Sequence, residues 1–268
     1  MTGTDFFSRN AAAFAGSTSH AKGKDLELLL GRLGTVGGLE TLDVATGTGF
    51  TAIALEKAGG MVTAVDPTSS MIREAQKLAD SSGAERLELV MGTAENLPVL
   101  DSSVSVVTCR RAAHHFKDKA AFISEVDRVL VNGGRFGLVD MVAPAGHADE
   151  FNKLERQRDH SHVAAEEVAT WYTLLSDAGL GVISCDVEED ELAFDKWLYP
   201  VERGSADGKK CVELLGNAEA TFADSIGLKE DMSFTKRRMI LIARKGVQGK
   251  SFSNRPAGNK KDNNHSVV

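Results

Sequence analysis

Between Leu42 and Ala52 an apolar strand, Leu42-Asp43-Val44, runs into Gly47-Thr48-Gly49, and a helix leaves from Phe50. Glycines at such a junction let the backbone take conformations closed to other residues and approach a ligand closely. A strand that turns this sharply into a helix needs a sheet for the helix to pack on, and the rest of the chain supplies one. Met61–Val65, Leu87–Val90, Val104–Thr108, Arg135–Val142, Val182–Val187 and Met239–Ala243 read as six further strands. Helical stripes alternate with them: Leu26, Leu29, Leu30 and Leu33 before the first strand, Met71, Ile72, Ala75 and Leu78 after the second, and Val168, Trp171 and Leu175 before the sixth. Asp118 is placed to cap a helix that buries Phe122, Val126, Val129 and Leu130 and stops at Asn132-Gly133-Gly134. Strands alternating with helices mean βαβ units around a mostly parallel sheet, the α/β class.

Two stretches break the alternation. Residues 144–164 are polar and charge-dense, and 190–236 insert a long segment with one helical stripe at Cys211, Leu214, Leu215, Ala218 and Phe222. Insertions of this kind in an α/β fold build lids and substrate pockets. From Gly246 the chain loses apolar periodicity and reads as a disordered tail, which leaves residues 1–245 as one domain. The tail carries +3, so of a net charge of −7 the body holds −10. Such a body repels a phosphate backbone, and nucleic acid is not expected as a partner. No run approaches the length of a membrane span, the opening is not a secretory signal, and Cys109, Cys185 and Cys211 form no close pair. A cytoplasmic protein without a metal site is expected, as monomer or homodimer.

Asp66 ends the second strand 19 residues after Gly47, where a carboxylate can accept both hydroxyls of an adenosine ribose. The pattern G-x-G-x-x-A followed by an acid at that distance also fits a dinucleotide site. Asp43 argues against the dinucleotide: a carboxylate so close to the turn repels a pyrophosphate but suits the cationic amino-acid end of S-adenosylmethionine. The nicotinamide reading also lacks a Tyr-x-x-x-Lys pair, since neither Tyr172 nor Tyr199 is followed by lysine at helical spacing. Further along, Gly92-Thr93-Ala94-Glu95-Asn96-Leu97-Pro98 follows the third strand, and Cys109-Arg110-Arg111-Ala112-Ala113-His114-His115-Phe116 follows the fourth.

With D-V-A-T-G-T-G, V-D-P-x-x-x-M, G-x-A-E-x-L-P, A-x-H-H-F and R-V-L-x-x-G-G in this order, residues 5–245 resemble the class I S-adenosylmethionine-dependent methyltransferases. The likeness is to the methyltransferase type 11 group, similar to the ubiquinone and menaquinone biosynthesis C-methyltransferases. It implies a Rossmann-like seven-stranded, mostly parallel sheet with helices on both faces, the last strand antiparallel, and helical lid insertions. It also implies that Asp43, Gly47 and Gly49 line the methionine moiety, that Asp66 holds the ribose, and that Ala45, Thr48 and Pro67 also bind the cofactor. Met71 would then pack on adenine, with Thr93, Ala94 and Glu95 at its edge. Arg110 would touch the donor, and His20 lies in a segment similar to the one that closes over the cofactor. Thr93 departs from the family, which usually has Asp there; a neutral acceptor makes a hydrogen bond roughly half as strong as a charged one.

The implied reaction is methyl transfer from S-adenosylmethionine to a small-molecule acceptor, leaving S-adenosylhomocysteine. A cofactor-binding protein or cyclase of the same fold is the alternative. For the acceptor end, His114 and His115 follow the fourth strand, one placed to face the acceptor and the other to pack under the helix. Arg156, Asp159 and His162 recur every three residues, so one helical turn would align them, with Asp159 orienting His162 towards an anionic or phenolic acceptor. Arg111 is expected to pair at the surface and His160 to have no role. Trp197 and Tyr199 are open to either a pocket wall or the core, and the cysteines fit buried positions better than a thiol set for arsenic.

Overall fold

The computed structural model describes residues 3–16 and 23–247. The strands are β1 (Glu40–Val44), β2 (Met61–Asp66), β3 (Leu87–Met91), β4 (Val104–Arg110), β5 (Leu130–Met141), β6 (Leu180–Leu192) and β7 (Phe234–Lys245). The helices are α1 (Gly3–Ala15), α2 (Lys24–Leu33), α3 (Phe50–Lys57), α4 (Ser69–Ser82), α5 (Lys119–Val129), α6 (Ala148–Arg158), α7 (Val168–Asp177), α8 (Phe194–Leu198), α9 (Ala206–Gly216) and α10 (Ala220–Ile226). One sheet joins all seven strands in the order β3-β2-β1-β4-β5-β7-β6, and β7 alone runs against its neighbours.

Successive strand residues face opposite sides, so a sheet covered on both faces must be apolar at both parities. In β7, Met239, Leu241 and Ala243 join the core beneath α5 and α7 with Phe122, Phe136 and Trp171. Ile240 and Ile242 join the opposite core with Leu29, Leu33 and Leu55. The chain winds outward through β2 and β3, then restarts on the other side of β1 with β4. That switch leaves a crevice at the carboxyl ends of β1 and β4, where ligands of open α/β sheets bind.

β6 and β7 extend beyond the apolar runs that mark them in the sequence. The added rungs pair acids with bases: Glu188 opposite Arg238, Glu189 opposite Arg237 and Asp190 opposite Lys236. Arg237 Nε lies 2.7 Å from Glu189 and Arg238 3.6 Å from Asp190, so opposed charges continue a ladder that hydrophobicity does not announce. The Asp118 carboxylate does cap α5 by accepting from Ala121 N at 2.8 Å, but the helix ends at Val129. Leu130 pairs with Val104 instead, so β5 begins before Asn132. The second insertion folds onto the first. Phe194, Trp197, Cys211 and Phe222 form a separate core with Phe151 and Leu154 of α6. Among the described residues no helix is long and apolar enough to cross a membrane.

Candidate active site

The crevice opens into a cavity of about 610 Å³, within the range of small-molecule sites. Its floor is the junction after β1. Gly49 caps α3 at φ +88°, and a Cβ there would stand 3.1 Å from Ala75 Cβ on α4. Gly47, at φ +57°, has open space where its Cβ would lie and so leaves a cradle on the cavity floor. Ala45 takes φ +55° without being glycine.

Asp43 and Asp66 bring two buried carboxylates to this floor. Both oxygens of Asp66 are held by backbone: Oδ2 accepts from Gly47 N at 2.9 Å and Oδ1 from Thr68 N at 2.8 Å. Each carboxylate oxygen has a second lone pair, which leaves capacity for a ligand hydroxyl. Asp43 Oδ1 accepts from Thr108 Oγ1 at 2.7 Å, while Oδ2 is buried without a hydrogen-bond partner. The Thr46 hydroxyl and Ala52 amide stand near enough to favour the carboxylate without meeting hydrogen-bond geometry. Burial outweighs them, together with Thr108 and Arg110, and lifts the carboxyl to about 6. An unpartnered buried carboxylate oxygen beside an open glycine cradle fits a cationic group on a ligand and disfavours a pyrophosphate.

The other residues expected at this end divide between wall and rim. Thr48, Pro67, Met71 and Ala94 line the cavity, and Met71 is almost wholly buried. Thr93 is exposed at the rim, and Glu95 accepts from Lys117 N at 3.3 Å. Arg110 Nε donates to Thr51 Oγ1 at 2.9 Å. Arg111 is not a surface residue: its Nε and Nη2 grip both oxygens of Asp25 on α2 at 2.6 and 2.8 Å. Asp25 also receives Arg110 at 3.3 Å, and Arg238 stands 3.9 Å away. Burial alone would raise the Asp25 carboxyl, but these guanidiniums, Arg111 foremost, bring it below its ordinary value. His20 and the segment from residue 248 lie outside the described residues.

The opposite end of the cavity is assembled from distant parts. After β4 a single 3-10 turn, Ala113–His115, gives its two imidazoles different partners although their ring centroids stand 4.0 Å apart. His114 is buried on Asp140 of β5, with its backbone N 2.8 Å from Oδ2 and its Nδ1 2.6 Å from Oδ1. His115 lines the cavity, and its Nδ1 meets Ser161 O at 3.0 Å. Phe7 of α1 stands edge-on to His115 with ring centroids 4.9 Å apart. Ser161, His162 and Val163 complete the wall. The three imidazoles sit close together, yet no metal-ligand set of His, Cys, Asp or Glu forms among the described residues.

The expected helical face of Arg156, Asp159 and His162 does not form. α6 ends at Arg158, and Asp159 is extended at φ −132° and ψ 101°, so the three are not stacked on one turn. Arg156 is exposed and donates to Val163 O at 3.0 Å, away from the cavity lining. Asp159 accepts from Ser161 N at 2.9 Å and Ser161 Oγ at 2.5 Å, and thereby steadies His115 rather than His162. His162 is held by Asn152 at 2.7 Å. His160, expected to be idle, sits at the rim and reaches Asp207 at 3.1 Å. Trp197 is core, donating to the buried Glu155 at 3.0 Å, and Tyr199 is exposed, so neither walls the cavity. Phe7 and Phe14, two helical turns apart, were legible as one face of a helix. Asp140 was legible as the single acid in the apolar run Phe136–Met141.

A family model for a methyltransferase domain matches residues 42–138. The uncharacterized methyltransferase YcgJ of Bacillus subtilis (strain 168) is 36% identical over 200 residues, which are 74% of this chain and 79% of the relative. The ubiquinone/menaquinone biosynthesis C-methyltransferase UbiE of Rubrivivax gelatinosus is 32% identical over 117 residues, 44% of this chain and 45% of the relative. Among solved structures, the BH2331 protein of Bacillus halodurans C-125 superimposes with a TM-score of 0.78 at 30% identity, covering 84% of this chain and 100% of that one.

Proposed function

Because the chain belongs to the class I S-adenosylmethionine-dependent methyltransferases, we propose that it transfers a methyl group from S-adenosylmethionine to a small molecule enclosed in the cavity. The observation that carries the cofactor assignment is the unpartnered Asp43 Oδ2 beside the open cradle at Gly47. On this reading Asp43, Ala45, Gly47 and Thr48 hold the amino-acid end, Gly49 lets α3 pack close to α4 without lining the cavity, Asp66 and Pro67 hold the ribose, and Met71, Ala94 and the Thr93–Glu95 rim the adenine. When bound, the cofactor supplies a sulfonium methyl that is already activated, so the chain's own work is to align the acceptor and exclude water. Alignment of this kind contributes about 7–11 kcal/mol.

A small acceptor is supported by the enclosure. α1, through Phe7 and Phe14, and residues 160–163 cover the end away from the glycine turn. His115 and His162 face that end, with His114 and Asp159 as positioning residues behind them. The test is calorimetric titration with S-adenosylmethionine, S-adenosylhomocysteine and NAD in parallel. Binding of the first two and not of NAD is expected, followed by methyl incorporation when acceptors are screened. NAD binding alone would overturn the cofactor assignment. Turnover of an acceptor without loss of the methyl group would make the protein a cofactor-dependent enzyme of another kind.

A further inference from the structure

The histidine end of the cavity contains nucleophiles of its own, and most of them are occupied or out of reach. Arg111 grips Asp25, and Lys117 stands exposed at the rim, where an ammonium has no lone pair. His160 is also exposed at the rim, tied by Nε2 to Asp207 of α9 at 3.1 Å. The Ser161 hydroxyl is enclosed between Asp159 Oδ1 at 2.5 Å and His115 Nδ1 at 3.2 Å. His162 donates from Nε2 to Asn152 Oδ1 at 2.7 Å, an amide whose orientation is set by the backbone of Ala165. Its Nδ1 therefore keeps a lone pair, but that atom is buried and a methyl group has no space beside it.

His115 differs from all of these. Its Nδ1 faces the carbonyl oxygen of Ser161 at 3.0 Å. A carbonyl only accepts, so Nδ1 carries the hydrogen and the lone pair lies on Nε2. That nitrogen makes no hydrogen bond among the described residues and, unlike His162 Nδ1, is not sealed in, since the half-buried ring lines the cavity. The ring is held in place by Phe7, edge-on at 4.9 Å, and by His114 at 4.0 Å. Burial first, and His114 second, bring it down to about 4, so it is uncharged at neutral pH. β4 pairs in parallel with β1, Cys109 beside Val44, so the turn carrying His115 and the glycine turn leave neighbouring strands at the same end of the sheet.

Resting on the methyltransferase reading above, we propose that His115 is a self-modification site: while no acceptor fills the cavity, its Nε2 takes the methyl group of bound S-adenosylmethionine. The Nε2 lone pair forms the new nitrogen–carbon bond as the sulfur–carbon bond breaks. Sulfur keeps the electron pair of that bond and becomes the thioether of S-adenosylhomocysteine. The positive charge passes to the ring and leaves with the Nδ1 proton. Ser161 Oγ accepts that proton across 3.2 Å while its own moves to Asp159 Oδ1, and half-buried Asp159 releases it to solvent. Each chain reacts once. The product sets a methyl group at the acceptor end of the cavity, so cofactor held without an acceptor leaves a lasting mark there.

The experiment first titrates the full chain with S-adenosylmethionine by calorimetry, then incubates it with the trideuteromethyl form, without any acceptor, and follows the intact mass. One trideuteromethyl group in place of one hydrogen is expected per chain, at a rate independent of protein concentration and suppressed by excess S-adenosylhomocysteine. Because the two groups share one cavity, the rate should exceed that of the urea-unfolded chain by at least about a hundredfold. Acid hydrolysis should release only the Nε2 isomer of methylhistidine, and peptide fragmentation should place it at His115. His115→Phe should take no label, and His160→Asn as much as the unaltered chain. Long-range proton–nitrogen spectra of the cofactor-free protein give a readout without turnover, with Nδ1–H and a bare Nε2 expected at His115. A protein that binds S-adenosylmethionine but takes no label, label on another residue or on Nδ1, an equal rate in the unfolded chain, or the reverse tautomer would each overturn the proposal. Failure to bind S-adenosylmethionine in the first titration is a separate result, and it sinks the methyltransferase reading itself.

Discussion

At the glycine-turn end of the cavity, Asp43, Ala45 and Gly47 come from the end of β1 and its turn, and Asp66, from the end of the neighbouring β2, is held by the backbone of Gly47 and Thr68. At the histidine end, His115 follows β4, Ser161 and His162 follow α6, and Phe7 comes from α1. The first end is built by one βαβ unit, the second by side chains and backbone groups drawn from distant parts of the chain. One carboxylate ties them together. Asp25 receives Arg110, which contacts Thr51 at the head of α3, and Arg111, which leads into the histidine turn.

The largest effect is therefore expected from Asp25→Ala. It leaves the buried Arg110 and Arg111 guanidiniums without their counterion, a loss of about 3–5 kcal/mol in unfolding free energy. Urea denaturation measures it, and titration of the surviving folded fraction measures the rest. Both ends of the cavity should respond: affinity for S-adenosylhomocysteine should fall, and the imidazole resonances of His115 should shift. If only one end responds, the two are mechanically independent and Asp25 is not their link. Asp66→Ala should act on one end alone. With the carboxylate gone, S-adenosylhomocysteine loses its ribose acceptor and Gly47 N loses the partner that shapes the turn. Affinity for S-adenosylhomocysteine should drop roughly a hundredfold, while the imidazole resonances of His115 stay where they are. A drop of less than tenfold would mean that the ribose is held elsewhere.

The same division decides what could be read from the sequence. The sheet was legible because burial on both faces writes mostly apolar runs into β2 and β4 and an unbroken one, Met239–Ala243, into β7. The outer halves of β6 and β7 were not, because Glu188, Glu189 and Asp190 pair with cross-strand cations, and such rungs have no signature in hydrophobicity. At the glycine-turn end, Asp43 and Gly47 flank one turn and Asp66 ends the parallel strand paired beside it, a βαβ spacing by which the three could be grouped. At the histidine end, spacing misled. Arg156, Asp159 and His162 would share a face only if α6 continued, and it stops at Arg158, where Asp159 and Ser161 turn the chain with their own side chains. The partner that orients His162 is Asn152, ten residues earlier, across a loop whose path no periodicity predicts.

Proton linkage gives the two ends opposite signs in one pH window. Asp43, lifted to about 6 by burial, binds a proton in the native state at a pH where the unfolded chain does not. Its contribution to stability therefore grows as pH falls from 6 towards 3.8 and is lost as pH rises through 6. His115 and His162, held down at about 4 and about 3, stay unprotonated while the unfolded chain takes up protons below 6.5. Their contribution is complete above 6.5 and is lost as pH falls towards 4. Each group changes stability by at most about 1.4 kcal/mol per pH unit, and two histidines outweigh one aspartate. Stability should thus decline between pH 6.5 and 5, more steeply in Asp43→Asn and less steeply in His162→Phe. Binding of S-adenosylhomocysteine should weaken as Asp43 takes up its proton below pH 6, with proton release on binding measured by calorimetry in two buffers. A binding constant flat from pH 5 to 8 would remove Asp43 from contact with the amino group.

The smallest effect compares one backbone conformation at the two ends. Ala45 and Arg111 take φ +55° and +57°, and each follows a strand that ends at the cavity. A left-handed conformation costs a residue with a Cβ about 1–2 kcal/mol, which glycine avoids. Glycine also gives the unfolded chain more freedom, worth about 0.4–1 kcal/mol in the other direction. For Ala45→Gly nothing else is lost, so a net gain of about 0.5–1 kcal/mol is expected by urea denaturation. For Arg111→Gly the same relief is opposed by loss of the two-pronged grip on buried Asp25, and a net loss of about 1–3 kcal/mol is expected. Opposite signs would mean that the strain at the glycine-turn end is uncompensated, whereas at the histidine end a long-range ion pair holds it in place. Equal signs would show that the Arg111–Asp25 pair does not outweigh its own backbone, and the contrast between a locally built end and a tertiary one would fail at that residue.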